Sequence, residues 1–107
     1  MEVSLESVTI SPGGVPIRLT DERWRHIVGR HPELDGLREL VLETVARPDM
    51  IQRGGVGELL AVRYYPETSL GGKFLVVAYR EAGPSDGFIL TAYLTRGPSG
   101  RPVIWTR

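Results

Sequence analysis

Apolar positions along the chain follow a helical period first and an alternating one later. Trp24, Ile27, Val28 and His31 recur at i, i+3, i+4 and i+7, the stripe of an amphipathic helix. Thr20 stands before it as an N-cap, and Asp21 and Glu22 place negative charge at the positive end of the helix dipole. His31-Pro32 closes the helix, because a residue before proline is pushed out of helical angles. A second helix is predicted to open near Asp35, carry Leu37, Leu40, Val41, Thr44 and Val45 on one face, and stop at Arg47-Pro48. Ahead of both, Ser7-Val8-Thr9-Ile10 and Val15-Pro16-Ile17-Arg18-Leu19 read as short extended pieces around the turn Ser11-Pro12-Gly13-Gly14.

After the helices the period changes to two. Met50-Ile51 enters a short strand that breaks at Gly54-Gly55, and stronger strands are predicted over 58–65, 73–80 and 87–95. The loops between them are short, which favours antiparallel hairpins over crossovers. A last short strand is expected at Val103-Ile104-Trp105. Helices followed by a run of strands is an α+β pattern. Alternation places Phe88, Leu90, Ala92 and Leu94 on one face, and Leu60, Val62 and Tyr64 on the face opposite Leu59, Ala61, Arg63 and Tyr65. One sheet face is expected to pack on the helices. The other is expected to show a polar, aromatic surface of Tyr65, Thr91, Tyr93 and Thr95, with Arg63.

Composition narrows the class. The chain has 107 residues, 41% of them hydrophobic, enough for one domain over 1–107 with its own core. The absence of cysteine removes disulfides, zinc ribbons, iron–sulfur ligation and thiol nucleophiles. No apolar run approaches the ~18 residues that span a bilayer. Met1-Glu2-Val3-Ser4 lacks the basic and apolar regions of a secretory signal. A cytoplasmic protein with no membrane partner is the expectation.

Thirteen basic and 13 acidic side chains give a formal net charge of zero, which excludes a strongly basic nucleic-acid coat. The charge is unevenly placed. Between Arg18 and His31 stand four arginines and both histidines, opposed by Asp21 and Glu22, and the last twelve residues carry three arginines and no acid.

The histidines are the natural acid–base candidates. At about 100° per residue, His31 lies about 20° from Trp24 on the apolar stripe, while Arg23, His26 and Arg30 fall within about 60° of one another on the opposite side. The imidazoles cannot face one point on a straight helix, but Pro32 puts His31 at the last turn, where its side chain can leave the stripe. Their i, i+5 spacing does not suit a zinc site, and no Gly-x-Ser-x-Gly elbow is present. Gly54-Gly55-Val56-Gly57 has no Lys-Ser/Thr after it and is not a phosphate loop. Lys73, the only lysine, begins a strand beside Gly71-Gly72, where a cation can reach a phosphate. The remaining side chains suit RNA cleavage without metal or other cofactor. One group takes the ribose 2′-hydroxyl proton, another protonates the leaving 5′-oxygen, and cations hold the phosphorane charge.

Four stretches in order carry a family resemblance: Leu19-Thr20-Asp21-Glu22-Arg23-Trp24-Arg25-His26-Ile27-Val28-Gly29-Arg30-His31-Pro32-Glu33, Ala46-Arg47-Pro48-Asp49-Met50-Ile51, Gly72-Lys73-Phe74-Leu75-Val76-Val77, and Gly87-Phe88-Ile89-Leu90-Thr91-Ala92-Tyr93-Leu94-Thr95. Over residues 19–95 the chain resembles the phage-type members of the BECR superfamily, the barnase, EndoU, colicin and RelE-like RNases. The resemblance implies two N-terminal helices packed on a roughly four-stranded antiparallel sheet, with the active site on its exposed face. It implies a metal-independent, toxin-like endoribonuclease with an RNA substrate and a cognate antitoxin or immunity protein as partner. The neutral net charge makes a free RNA such as tRNA the more plausible substrate than the ribosome. Carried over by position, the resemblance implies His31 or His26 as the base, Arg53 or Lys73 for the phosphate, and Tyr93 with Thr91 and Thr95 for substrate, beside Arg30. Arg63 and Tyr65 join the substrate residues by their strand positions. The alternative readings are an inactive nucleic-acid- or protein-binding module on the same fold, and an interaction domain that pairs its sheet edge with another chain.

Overall fold

The computed structural model describes residues 6–107; the reading of Met1-Glu2-Val3-Ser4 lies outside them. Strands β1 (Glu6–Ile10) and β2 (Pro16–Thr20) form a hairpin. Helix α1 (Asp21–Arg30), a 3-10 turn (Pro32–Leu34) and helix α2 (Arg38–Ala46) follow. The chain then forms β3 (Met50–Arg53), β4 (Leu59–Tyr65), β5 (Lys73–Gly83), β6 (Asp86–Thr95) and β7 (Val103–Thr106). Among the described residues no helix is long and apolar enough to cross a membrane.

The strands make one seven-stranded sheet in the order β1-β2-β6-β5-β4-β3-β7. It is mixed, because β2 runs parallel to β6 while the other neighbours are antiparallel. The expected four-stranded antiparallel sheet behind two N-terminal helices is therefore wrong. The reason lies largely outside the stretch that carries the resemblance. The hairpin at the start of the chain adds two strands beside β6, the last residues add β7 beside β3, and the helices fall between β2 and β3. Backbone groups at the two sheet edges found partners far along the chain, a pairing that local alternation cannot reveal. Gly87 permits the parallel step, since a Cβ there would sit 2.6 Å from Arg80 O and against the Ile17 side chain.

The Thr20 side chain accepts from Arg23 N at 3.1 Å, which starts α1 as its sequence predicts. The second helix starts later than Asp35. Gly36 takes a left-handed φ of +82°, so the chain turns once before α2 opens at Arg38. Both helices pack on one sheet face, where Ile17, Leu19, Ile27, Leu34, Val41 and Val45 are buried with Ala61, Leu75, Val77, Tyr79, Ile89 and Ala92. Val76 and Ala78 point to the other face, so the central strand β5 is apolar on both sides.

That second face is not an open polar surface. Leu60, Val62, Val76 and Ala78 are 0–7% exposed there. The 96–102 segment runs from the end of β6 to the start of β7 and must cross β5, β4 and β3. Gln52, which shares this face with Leu60 through their register, donates to Ser99 O at 2.8 Å and Arg101 O at 3.1 Å. These bonds hold the crossing segment against the face.

Two face assignments also change. Tyr65 and Arg63 point toward the helices, not away. The Tyr65 hydroxyl lies 3.1 Å from Thr44 Oγ1, whose own proton goes to Leu40 O, and Arg63 donates to Arg47 O and meets Glu43 at 3.3 Å. In β6 a bulge intervenes: Ala78 opposes Thr91 but Tyr79 opposes Ile89, so Leu90 is the extra residue. It resets the alternation. Ile89 joins Ala92 and Leu94 on the helix side, while Leu90 packs with Tyr93 on the other.

Candidate functional site

The parallel pairing of β2 with β6 covers only Ile17–Gly87 and Arg18–Phe88. Beyond it β2 ends at Thr20 and the chain becomes α1, so the C-terminal half of β6 has a helix beside its edge instead of a strand. Trp24 and Ile27 anchor α1 in the helix-side core, which turns Arg23, His26 and Arg30 outward. The bulge at Leu90 puts Leu90 on the same face as Thr91 and Tyr93. Together these residues and His31 line a cleft of about 470 Å³.

His31 enters this cleft because α1 stops. It caps the helix with φ −130° and ψ 74°, its N–H bonded to Ile27 O, so its side chain leaves the apolar stripe. The ring lies 6.1 Å from the Tyr93 ring, centroid to centroid, at an interplanar angle of 37°. Its Nδ1 is 3.8 Å from Glu33 Oε2, an ion-pair distance longer than a hydrogen bond. The ring is a third exposed, whereas His26, Arg23 and Arg30 stand in solvent. A second, polar cleft of about 480 Å³ continues past Arg23 and His26 to Thr20 and Glu22.

Four arginines outside the cleft are already taken up by carboxylates. Arg38 is bound to Asp21 at 2.7 Å, Arg18 to Asp86 at 2.9 Å, Arg63 to Glu43 and Arg107 to Asp49 at 2.8 Å. Among the described residues, Arg23 and Arg30 have no such carboxylate. Their charge is left to act on whatever enters, and a phosphate is the natural counter-ion. The described residues hold no cluster of three or more His, Asp or Glu side chains fit to bind a metal.

Five of the residues singled out from the sequence, His26, Arg30, His31, Thr91 and Tyr93, meet here. The other five do not. Arg53 lies on β3, three strands from β6 and so roughly 14 Å across the sheet. It lines a different cleft of about 600 Å³ at the Gly54–Gly57 turn, with Glu58 and Glu81. That cleft is larger, but it has no imidazole and two carboxylates beside its one guanidinium, a poor match to a phosphate. Lys73 folds back on its own loop, Nζ donating to Leu70 O at 3.0 Å. Thr95 donates to Gly97 O at 3.0 Å and secures the start of the crossing segment. Arg63 and Tyr65 hold α2. Burial pushes the Tyr65 hydroxyl above the usual tyrosine range, as it does Tyr79, where Glu81 adds to the effect.

Arg23 and Leu90 line the cleft but were not among the residues singled out from the sequence, and neither was Glu33, which sits beside the cleft against His31. Arg23 had a signal, since it shares a helical side with His26 and Arg30. Glu33 had only its place two residues after His31, which gains meaning once Pro32 bends the chain. No family model, curated protein or solved structure matches the chain.

Proposed function

We propose that the cleft between α1 and β6 cleaves RNA at phosphodiester bonds without a metal ion. The observation that carries this reading is the convergence on one open cleft of two imidazoles, a tyrosine and two guanidiniums that have no carboxylate partner among the described residues. The ordered motifs over 19–95 add to it. Arg23 and Arg30 would bind the non-bridging phosphate oxygens and hold the charge that builds on the phosphorane. His31 would accept the 2′-hydroxyl proton, with the Glu33 carboxylate 3.8 Å from Nδ1 placed to offset the charge of the imidazolium that forms. The 2′-oxygen then attacks phosphorus. The bond to the 5′-oxygen breaks, and His26 in its protonated form supplies the proton that this oxygen needs. The products are a 2′,3′-cyclic phosphate and a 5′-hydroxyl. Tyr93, ring against ring with His31, offers a base a stacking partner at the scissile position. RNA supplies its own nucleophile, so a chain without cysteine or a serine elbow lacks nothing for this step.

The experiment is cleavage of tRNA and total RNA by purified protein in EDTA, run beside His26→Ala and His31→Ala. Cutting by the wild type and its loss in both variants supports the proposal. RNA that is bound with a salt-dependent affinity yet stays intact would make the domain a binding module instead.

A further inference from the structure

At the far side of the sheet from the cleft, β7 presents an edge of a different kind. Among the described residues it pairs with β3 on one side only and ends the sheet, so alternate backbone groups of Val103–Thr106 point off the outer edge. Three consecutive apolar side chains lie exposed on it: Val103 at 50%, Ile104 at 44% and Trp105 at 36%. Ile104 and Trp105 also wall a groove of about 240 Å³ that runs inward to Leu59 and Tyr79 and reaches Glu81, whose Oε2 accepts from Ser11 at 2.8 Å. Both ends of the edge are basic. Arg107 follows β7 and meets Asp49; Arg101 precedes it and, among the described residues, has no carboxylate partner. The segment 96–107 contains no acid at all.

We propose that this edge receives an extended acidic segment of another protein, which adds as an eighth strand beside β7 and seats an apolar side chain in the groove. The charges choose the occupant. Were a second copy of this chain to pair in parallel, Arg101 would stand beside Arg101, and antiparallel pairing about Ile104 would set Arg101 against an Arg107 whose charge Asp49 already offsets, with no acid in 96–107 to attract it. Like charges facing each other across a ladder are destabilising, and opposite charges stabilise it. A strand that alternates acidic and apolar residues satisfies the edge backbone, the apolar row and the arginines together. The cleft lies across the sheet, so such a partner leaves it open.

The test is a titration of the 15N-labelled full chain with a capped peptide of about eight residues alternating valine and glutamate, and with its lysine-for-glutamate counterpart. Shifts at the amides of 103–107 and of the groove residues Ile51, Leu59 and Tyr79, and none at Arg23, His26, Thr91 or Tyr93, are expected for the acidic peptide alone. Arg101→Glu, an exposed change, should weaken the acidic peptide about tenfold and favour the lysine one. Ile104→Pro should abolish binding by blocking the edge. Three results overturn the proposal: no shift at millimolar peptide, equal binding of both peptides, or a sedimenting dimer with β7 at its interface. The readout involves no RNA, so its failure leaves the cleavage proposal standing.

Discussion

The arginines around α2 and those on the outer side of α1 make an instructive pair. Arg38 and Arg63 each touch a carboxylate and a backbone carbonyl, Asp21 with Leu19 O and Glu43 with Arg47 O, and so tie helix to sheet. Arg23 and Arg30 are of the same residue type and close in sequence, yet point into a cleft beside two imidazoles. The first group spends its charge inside the molecule. The second keeps it for a ligand. A zero net charge hides this division, because the carboxylates are distributed unequally between the two groups.

The comparison can be broken by experiment, and His31→Ala should show the largest effect. Removing an acid–base group is expected to slow RNA cleavage by about 10²- to 10⁴-fold. The thermal midpoint should stay near that of the wild type, since the ring makes no hydrogen bond that holds the fold. Arg23→Ala with Arg30→Ala should lower kcat/KM by about 10- to 100-fold and flatten its salt dependence, with unfolding free energy changed by less than ~0.5 kcal/mol. A loss of stability instead would place these arginines with the structural group.

The α2 side should respond in the opposite sense. Tyr65→Phe removes the donor to buried Thr44 and is expected to cost about 1 kcal/mol of stability with cleavage unchanged, read by chemical denaturation and the RNA assay. The tyrosines also set an alkaline limit. Tyr65 and Tyr79 have hydroxyl pKa values raised by folding, so their contribution is complete below the unfolded value of about 10 and is lost as pH rises through the folded values. Denaturation midpoints should therefore show no tyrosine-linked change through neutral pH and fall above about pH 10, and Tyr65→Phe should shrink that fall. The smallest effect belongs to Arg63→Ala. Its pair with half-exposed Glu43 and its bond to Arg47 O together should cost no more than about 1 kcal/mol, and cleavage should not change.

Much of the site could be read locally. Thr20, the Trp24–Ile27 stripe and Pro32 fix where α1 begins, which side it buries and where it ends; the outward set of Arg23, His26 and Arg30 follows from them. That His31 joins this set also has a local cause, the end of the helix. What α1 faces does not. Alternation groups Thr91 with Tyr93, but Phe88, Ile89 and Leu90 are all apolar, so the bulge that moves Leu90 to their face and Ile89 to the helix side leaves no mark in it. The same blindness put Tyr65 and Arg63 on the wrong face, since alternation sorts a strand into two sides without saying which side meets a helix. The seven strands and the crossing segment over Gln52 depend on pairings between residues tens of positions apart, and the spacing of Gly, Pro and apolar residues holds no record of them.

The groups gathered beside β6 are proposed to act on the ribose 2′-oxygen and the adjoining phosphate. End analysis of a labelled tRNA incubated with the protein in EDTA tests this most directly. Fragments ending in 2′,3′-cyclic phosphate and beginning with 5′-hydroxyl are expected from the wild type, and none from His31→Ala. Intact RNA, or fragments with 3′-hydroxyl ends, would contradict it.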